Sequence, residues 1–246
     1  MISAIAKCID WSVLQAEYAI TRGSAKVLRT DSPFDRHFAR TGASLPESKW
    51  RLAEALEFLN GPDFVRAHSD LAQIEFDGPR NFKFPTPRPG KVEENNIVYG
   101  RLYRCAERWQ ERPVIVLLDG SPAVGYHSAF PLLARRFNRA GFNVATLVAP
   151  YHLQRRPRRP FEENYLEFAR AMAQNVAEIR ALTGWLLDEG CPSVGLVGFS
   201  FGGWLVGLTA CSDARIACAV LTLPAVRSRC SPPIFWRRAR ETLQAL

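Results

Sequence analysis

The strongest chemical signal in the chain is the run Gly198-Phe199-Ser200-Phe201-Gly202-Gly203. A serine with glycine two positions before and after it has the G-x-S-x-G spacing of a nucleophile elbow. The glycines matter because such a turn strains the backbone at the serine and leaves no space for side chains beside it. Val194–Val197 reads as a buried strand leading in, and the residues from Gly202 to Cys211 read as the helix leading out. In that context the hydroxyl is lifted to the carboxyl end of a strand, at a helix N-terminus. There the helix field and the N–H of Phe201 can stabilise negative charge on a tetrahedral oxygen. The chemistry implied is nucleophilic attack on a carbonyl.

A serine hydroxyl is a weak nucleophile unless a base takes its proton. The chain has four histidines, His37, His68, His127 and His152, and all precede Ser200. His152 follows an apolar segment, Asn143–Val148, that reads as a strand, so it falls on the same sheet edge as the elbow. Three readings of it stand open: general base, substrate-side residue, or ordinary loop histidine. Just beyond it, Arg155, Arg156, Arg158 and Arg159 alternate with prolines. They read either as a solvated loop or as a mouth that meets an anionic substrate group, with Arg155 on the substrate side. The cluster lacks the interleaved aromatics and helical spacing of a nucleic-acid surface, so no nucleic acid partner is expected. Gly120-x4-Gly125 mimics the start of a phosphate-binding loop, but Tyr126 and His127 stand where Lys and Ser/Thr belong, so nucleotide binding is rejected.

These residues need elements to position them. Residues 1–70 read as helical, with Ser44 and Glu47 spaced as a capping box before Trp50, Leu52, Leu56 and Leu59. Leu71–Phe76, Phe82–Phe84 and Asn96–Cys105 alternate apolar and polar residues between Gly/Pro breaks, as antiparallel strands do. From Pro113 the pattern changes. Val114–Leu118, Asn143–Val148, Val194–Val197 and Ile216–Leu223 are continuous apolar runs, expected of strands covered on both faces. Between them lie helices over Pro131–Ala140, Phe161–Leu187 and the elbow's own helix. Strands alternating with helices specify parallel βαβ units.

Composition sets the outer bounds. With 246 residues, 47% hydrophobic and 23% charged, the chain is long enough for one large domain, or for one domain carrying an extension. That apolar content excludes wholesale disorder, and no 20–50-residue period recurs, which excludes a solenoid. The net charge of +8 reads as scattered arginines. Six cysteines without CxxC spacing point to reduced thiols rather than zinc or disulfides, and the N-terminus lacks the pattern of a signal peptide, so the expected compartment is the cytoplasm. Ser193–Ser212 is uncharged and of membrane-spanning length, but its five glycines and the break at Ser200 favour strand, turn and buried helix.

The elbow in this context resembles the α/β-hydrolase superfamily over roughly residues 70–226. Val114–Leu118 is similar to that fold's third strand and Asn143–Val148 to its fourth. Pro150-Tyr151-His152 with Arg155-Arg156-Pro157 resembles a poorly characterised subgroup. The resemblance implies a mostly parallel sheet with antiparallel N-terminal strands and helices on both faces, preceded by a helical N-terminal extension. That makes residues 1–70 the extension and 71–246 the α/β-hydrolase-like domain. It also implies Ser200 as nucleophile, the Phe201 amide as one oxyanion donor, and a second amide after the third strand, placed near Ser121. The expected activity is hydrolysis of a small-molecule carboxylic ester without metal or cofactor.

In that superfamily the acid and histidine follow later strands, whereas here only 46 residues follow Ser200. The expectation is therefore a fold truncated after about its sixth strand, without its acid and histidine. Ile216–Leu223 would then be an apolar sheet edge prone to self-association. A non-catalytic binding protein that keeps the elbow as architecture is the alternative function.

Overall fold

A computed structural model describes residues 51–64, 71–120, 123, 125–159 and 164–222. Its centre is a seven-stranded sheet: β1 (Glu75–Asp77), β2 (Asn81–Pro85), β3 (Ile97–Tyr103), β4 (Val114–Leu118), β5 (Asn143–Leu147), β6 (Val194–Phe199) and β7 (Ile216–Thr222). The helices are α1 (Leu52–Asn60), α2 (Ala129–Arg139), α3 (Tyr165–Asp188) and α4 (Phe201–Ser212). The strand order is β1-β2-β3-β5-β4-β6-β7. The first three strands form an antiparallel meander, and β3 joins β5 antiparallel, with Arg101 opposite Thr146. From β5 to β7 every pairing is parallel. This is the mixed sheet expected of an α/β-hydrolase-like fold.

Alternation along β4 explains its unbroken apolar run. Val114, Val116 and Leu118 pack into a core with α3 and α4, while Ile115 and Leu117 pack against Phe130, Leu133 and Phe137 of α2 on the other face. All five residues are buried. Helix α3 starts at Tyr165, not Phe161, because the side chain of Asn164 caps it, accepting the Glu167 N–H at 2.9 Å. Its burial extends beyond the predicted apolar stripe to Gln174, Asn175, Glu178 and Thr183, since α1 and α4 flank it as well as the sheet.

The N-terminal strand is shorter than expected. Only Glu75–Asp77 pairs with β2, and those three residues are exposed. In the expected extension, Leu59 and Phe64 are buried in the same core as β4 and α3. Ser44 and Glu47 lie outside the described residues. Helix α1 begins after Arg51, which has left-handed backbone (φ 50°) and makes no side-chain cap.

The turn between α4 and β7 is tied by Asp213, whose carboxylate accepts from Arg215 Nε at 2.8 Å and Nη2 at 2.6 Å. Burial pushes this carboxyl up, but the Arg215 hydrogen bonds and charge outweigh it and hold it below its ordinary 3.8. The stabilisation is therefore complete above that value and lost as pH falls through the depressed one. Asp213→Asn should be less stable than wild type at neutral pH, and the gap should close below pH 3.8 in urea melts.

Candidate active site

The elbow forms where β6 runs into α4. Ser200 has φ 52° and ψ −116°, a region that L residues rarely adopt and that persists only where neighbours enforce it. Two bonds to β7 enforce it. Ser200 N–H donates to Thr222 O at 2.8 Å, and Thr222 Oγ1 donates to Gly198 O at 2.7 Å. The glycines are required by close approach: a Cβ on Gly198 would lie 2.2 Å from Gly202 O, and one on Gly202 would lie 2.3 Å from Leu118 O. Phe201, the first residue of α4, is anchored by its ring, 5.7 Å from that of Phe168. Its amide, like the first N–H groups of any helix, has no acceptor inside the helix. An oxygen developing charge beside Ser200 can take that proton and the positive end of the helix dipole.

The facing wall is the end of β4, whose Leu118 pairs in register with Gly198. A Cβ on Gly120 would sit 3.1 Å from Ser200 Cβ and 3.7 Å from its Oγ, so this backbone borders the serine directly. Asp119 shapes the loop beyond it. One carboxylate oxygen accepts the Gly120 N–H and the other the Tyr126 N–H, both at 2.8 Å. The Gly120 amide is thereby committed to Asp119, and a second oxyanion donor from this loop must come from a later amide. Ser121 lies outside the described residues. Asp119 was not among the candidates read from the sequence, although an Asp-Gly step before a loop containing Gly125 is a turn signal. Asp119→Ala should leave two amides without their acceptor and cost about 2–3 kcal/mol in thermal denaturation.

Among the described residues neither His127 nor His152 makes a hydrogen bond to the Ser200 hydroxyl. His127 is exposed, with Nδ1 3.5 Å from Arg101 Nη2; burial first, and then the Arg101 charge, lowers its pKa. His152 is buried on the loop leaving β5, with Nδ1 2.8 Å from Pro150 O. Because a carbonyl only accepts, Nδ1 carries a proton. Among the described residues Ser200 Oγ has no hydrogen-bond partner. Next to His152, the Tyr151 phenol is pushed up to about 12 by burial and then by the Glu167 carboxylate.

Arg155, expected on the substrate side, lies inside the protein. It has no exposed surface, and its guanidinium makes a bidentate pair with Glu178. The local run of Arg and Pro suggested solvent, while the partner that draws it inside stands 23 residues away. Glu178 itself left a signal, a carboxylate between Val176 and Ile179 on an apolar helix face. Among the described residues, no cluster of His, Cys, Asp and Glu is placed to hold a metal, and no helix is long and apolar enough to cross a membrane.

A mostly parallel sheet entered by an antiparallel meander, with a strained serine between β6 and α4, defines an α/β-hydrolase. The family model described as "Alpha/beta hydrolase domain containing 18" matches residues 60–232, and the chain belongs to that family. Two uncharacterized proteins of Mycobacterium tuberculosis, from strains CDC 1551 / Oshkosh and ATCC 25618 / H37Rv, are 30% identical over 156 residues, 56% of this chain. The chain spans 37% of the length of these curated relatives. Among solved structures, a cold-adapted esterase from an Arctic intertidal metagenomic library aligns with TM-score 0.44 and 17% identity, covering 61% of this chain and 64% of its own. Est1E from Butyrivibrio proteoclasticus with ferulic acid bound aligns with TM-score 0.39 and 14% identity, over 51% and 48%.

Proposed function

We propose that the chain is a serine hydrolase acting on small-molecule carboxylic esters, with Ser200 as its nucleophile. The observation that supports this most is the strained backbone of Ser200 at the N-terminus of α4, held between Gly198 and Gly202. In the proposed reaction a base removes the Ser200 hydroxyl proton as Oγ bonds to the ester carbon. The carbonyl oxygen becomes an oxyanion that accepts from the Phe201 N–H and from an amide at Ser121. The C–O bond then breaks, the alcohol leaves with the proton, and water releases the acid from acyl-Ser200. Acyl transfer of this kind needs no cofactor. His152 is assigned to the substrate side, since its loop leaves β5 at the carboxyl edge where Ser200 stands.

The second reading, a non-catalytic member of the fold, is favoured by the absence of a hydrogen-bond partner on Ser200 Oγ among the described residues. Fluorophosphonate labelling separates the two. An activated serine reacts and an architectural one does not. Covalent labelling mapped to Ser200 supports the hydrolase, and its absence would overturn it. The free thiols of Cys105, Cys191, Cys211 and Cys218 support a reducing compartment such as the cytoplasm.

Self-association belongs to the same reading. β7 is the edge of the described sheet, has no charged residue or proline, and leaves Leu221 37% exposed. Such edges pair with other chains. Light scattering should show species larger than one chain; a monodisperse monomer would contradict it.

A further inference from the structure

The loop leaving β5 carries two left-handed residues, Tyr151 (φ 66°) and Leu153 (φ 46°), one on each side of His152. Side chains with a Cβ resist this backbone, so it persists only where the surroundings dictate it. Here they form a buried polar network. Arg155 Nη1 donates to Val148 O and to Glu178 Oε2, both at 2.8 Å. Its Nη2 donates to Asn95 O and to Glu178 Oε1, both at 2.6 Å. Gln174, one turn before Glu178 on α3, donates to the same Asn95 carbonyl at 2.7 Å. Thr86 Oγ1 donates to Glu178 Oε1 at 2.7 Å.

The network reaches the strained turn at two points. The Tyr151 N–H donates to Asn95 Oδ1 at 2.9 Å, and the Arg155 N–H donates to His152 O at 2.8 Å. Arg155 thus links the root of the loop at Val148, its tip at His152, and the wall formed by Asn95. A fully buried ion pair is a poor source of net stability, because desolvation offsets most of its attraction and apolar replacements of both partners are often neutral. What the pair supplies is direction, since a planar fork meets a carboxylate and two carbonyls in one geometry.

We infer that Arg155 and Glu178 are positioning residues that hold the Tyr151-His152-Leu153 turn, and with it the His152 imidazole, at the carboxyl edge of the sheet. Only the labelling arm of the test below rests on Ser200 being the nucleophile.

The experiment compares the full chain with Arg155→Met/Glu178→Leu and with Arg155→Lys. In the double variant the urea midpoint should stay near wild type, while amide hydrogen exchange of a peptide over residues 149–156 speeds at least tenfold and that of β4 does not. Fluorophosphonate should label Ser200 about tenfold more slowly, as expected when a wall of the site is misplaced. Arg155→Lys keeps the charge but loses the fork, and should show the same local exchange with a smaller loss of labelling. If the double variant fails to fold, Arg155→Lys decides by its exchange. Unchanged exchange over residues 149–156 would overturn the inference. If wild type is not labelled while the exchange effect appears, the serine hydrolase reading fails and the clamp stands.

Discussion

Ser200→Ala should abolish fluorophosphonate labelling and lower any ester hydrolysis by about 10⁴- to 10⁶-fold, the size of loss seen when a serine nucleophile is removed. The fold should survive. Ser200 is half-buried, and its hydrogen bonds among the described residues are main-chain ones, from its N–H to Thr222 and from the Gly203 N–H to its carbonyl. An alanine keeps both. It still occupies strained backbone, so the variant should melt close to wild type while losing the chemistry. Ser200→Gly would relieve the strain as well and should melt slightly higher. A hydrolysis rate that Ser200→Ala leaves intact would assign the activity elsewhere.

Gly202→Ala should have the largest effect on stability. Its new Cβ would stand 2.3 Å from Leu118 O and 2.6 Å from Asp119 O. Both atoms are main chain, of β4 or of the first residue after it, so no rotamer change relieves the clash. Either α4 moves off the sheet or the end of β4 moves. A cost of about 3 kcal/mol or more is expected, at the upper end of overpacking effects. Gly90→Ala is the control, because its nearest neighbour would be Gln174 Oε1 at 4.0 Å, an ordinary contact. Thermal denaturation should show a large drop for the first and a small change for the second. Similar melting of the two would mean that α4 does not seat against β4 as described.

The elbow was legible in the sequence because its causes are local. Two glycines, a serine, an apolar run before and a helix after all lie within about twenty residues. β4 was legible for the same reason, since covering a strand on both faces leaves no polar alternation to blur its limits. β1 was not. Leu71–Phe76 alternates like a strand, but only Glu75–Asp77 finds a partner, on one side. The burial of Arg155 was not legible for a further reason. Its position depends on Glu178 and on the Asn95 carbonyl, 23 and 60 residues away, which no periodicity of the Arg-Pro segment can report. The Asn164 cap shows the intermediate case, a local signal overlooked beside a longer apolar pattern.

The antiparallel seam between β3 and β5 bears on how the chain matures. β3 pairs with β5, yet β4 and α2 are made between them, so β3 finishes roughly 40 residues before its partner begins. At about 5–20 residues per second on a ribosome, that interval lasts about 2–8 seconds. During it the β1–β3 meander is complete but β3 is an unpaired edge, beside an apolar face that includes Phe82, Phe84, Val98 and Leu102. β4 cannot close that edge, because it takes its own place beyond β5. Synthesis therefore passes through a stage with a sticky, strand-shaped surface, at which a chaperone that holds extended hydrophobic segments would act before the serine's half of the sheet exists.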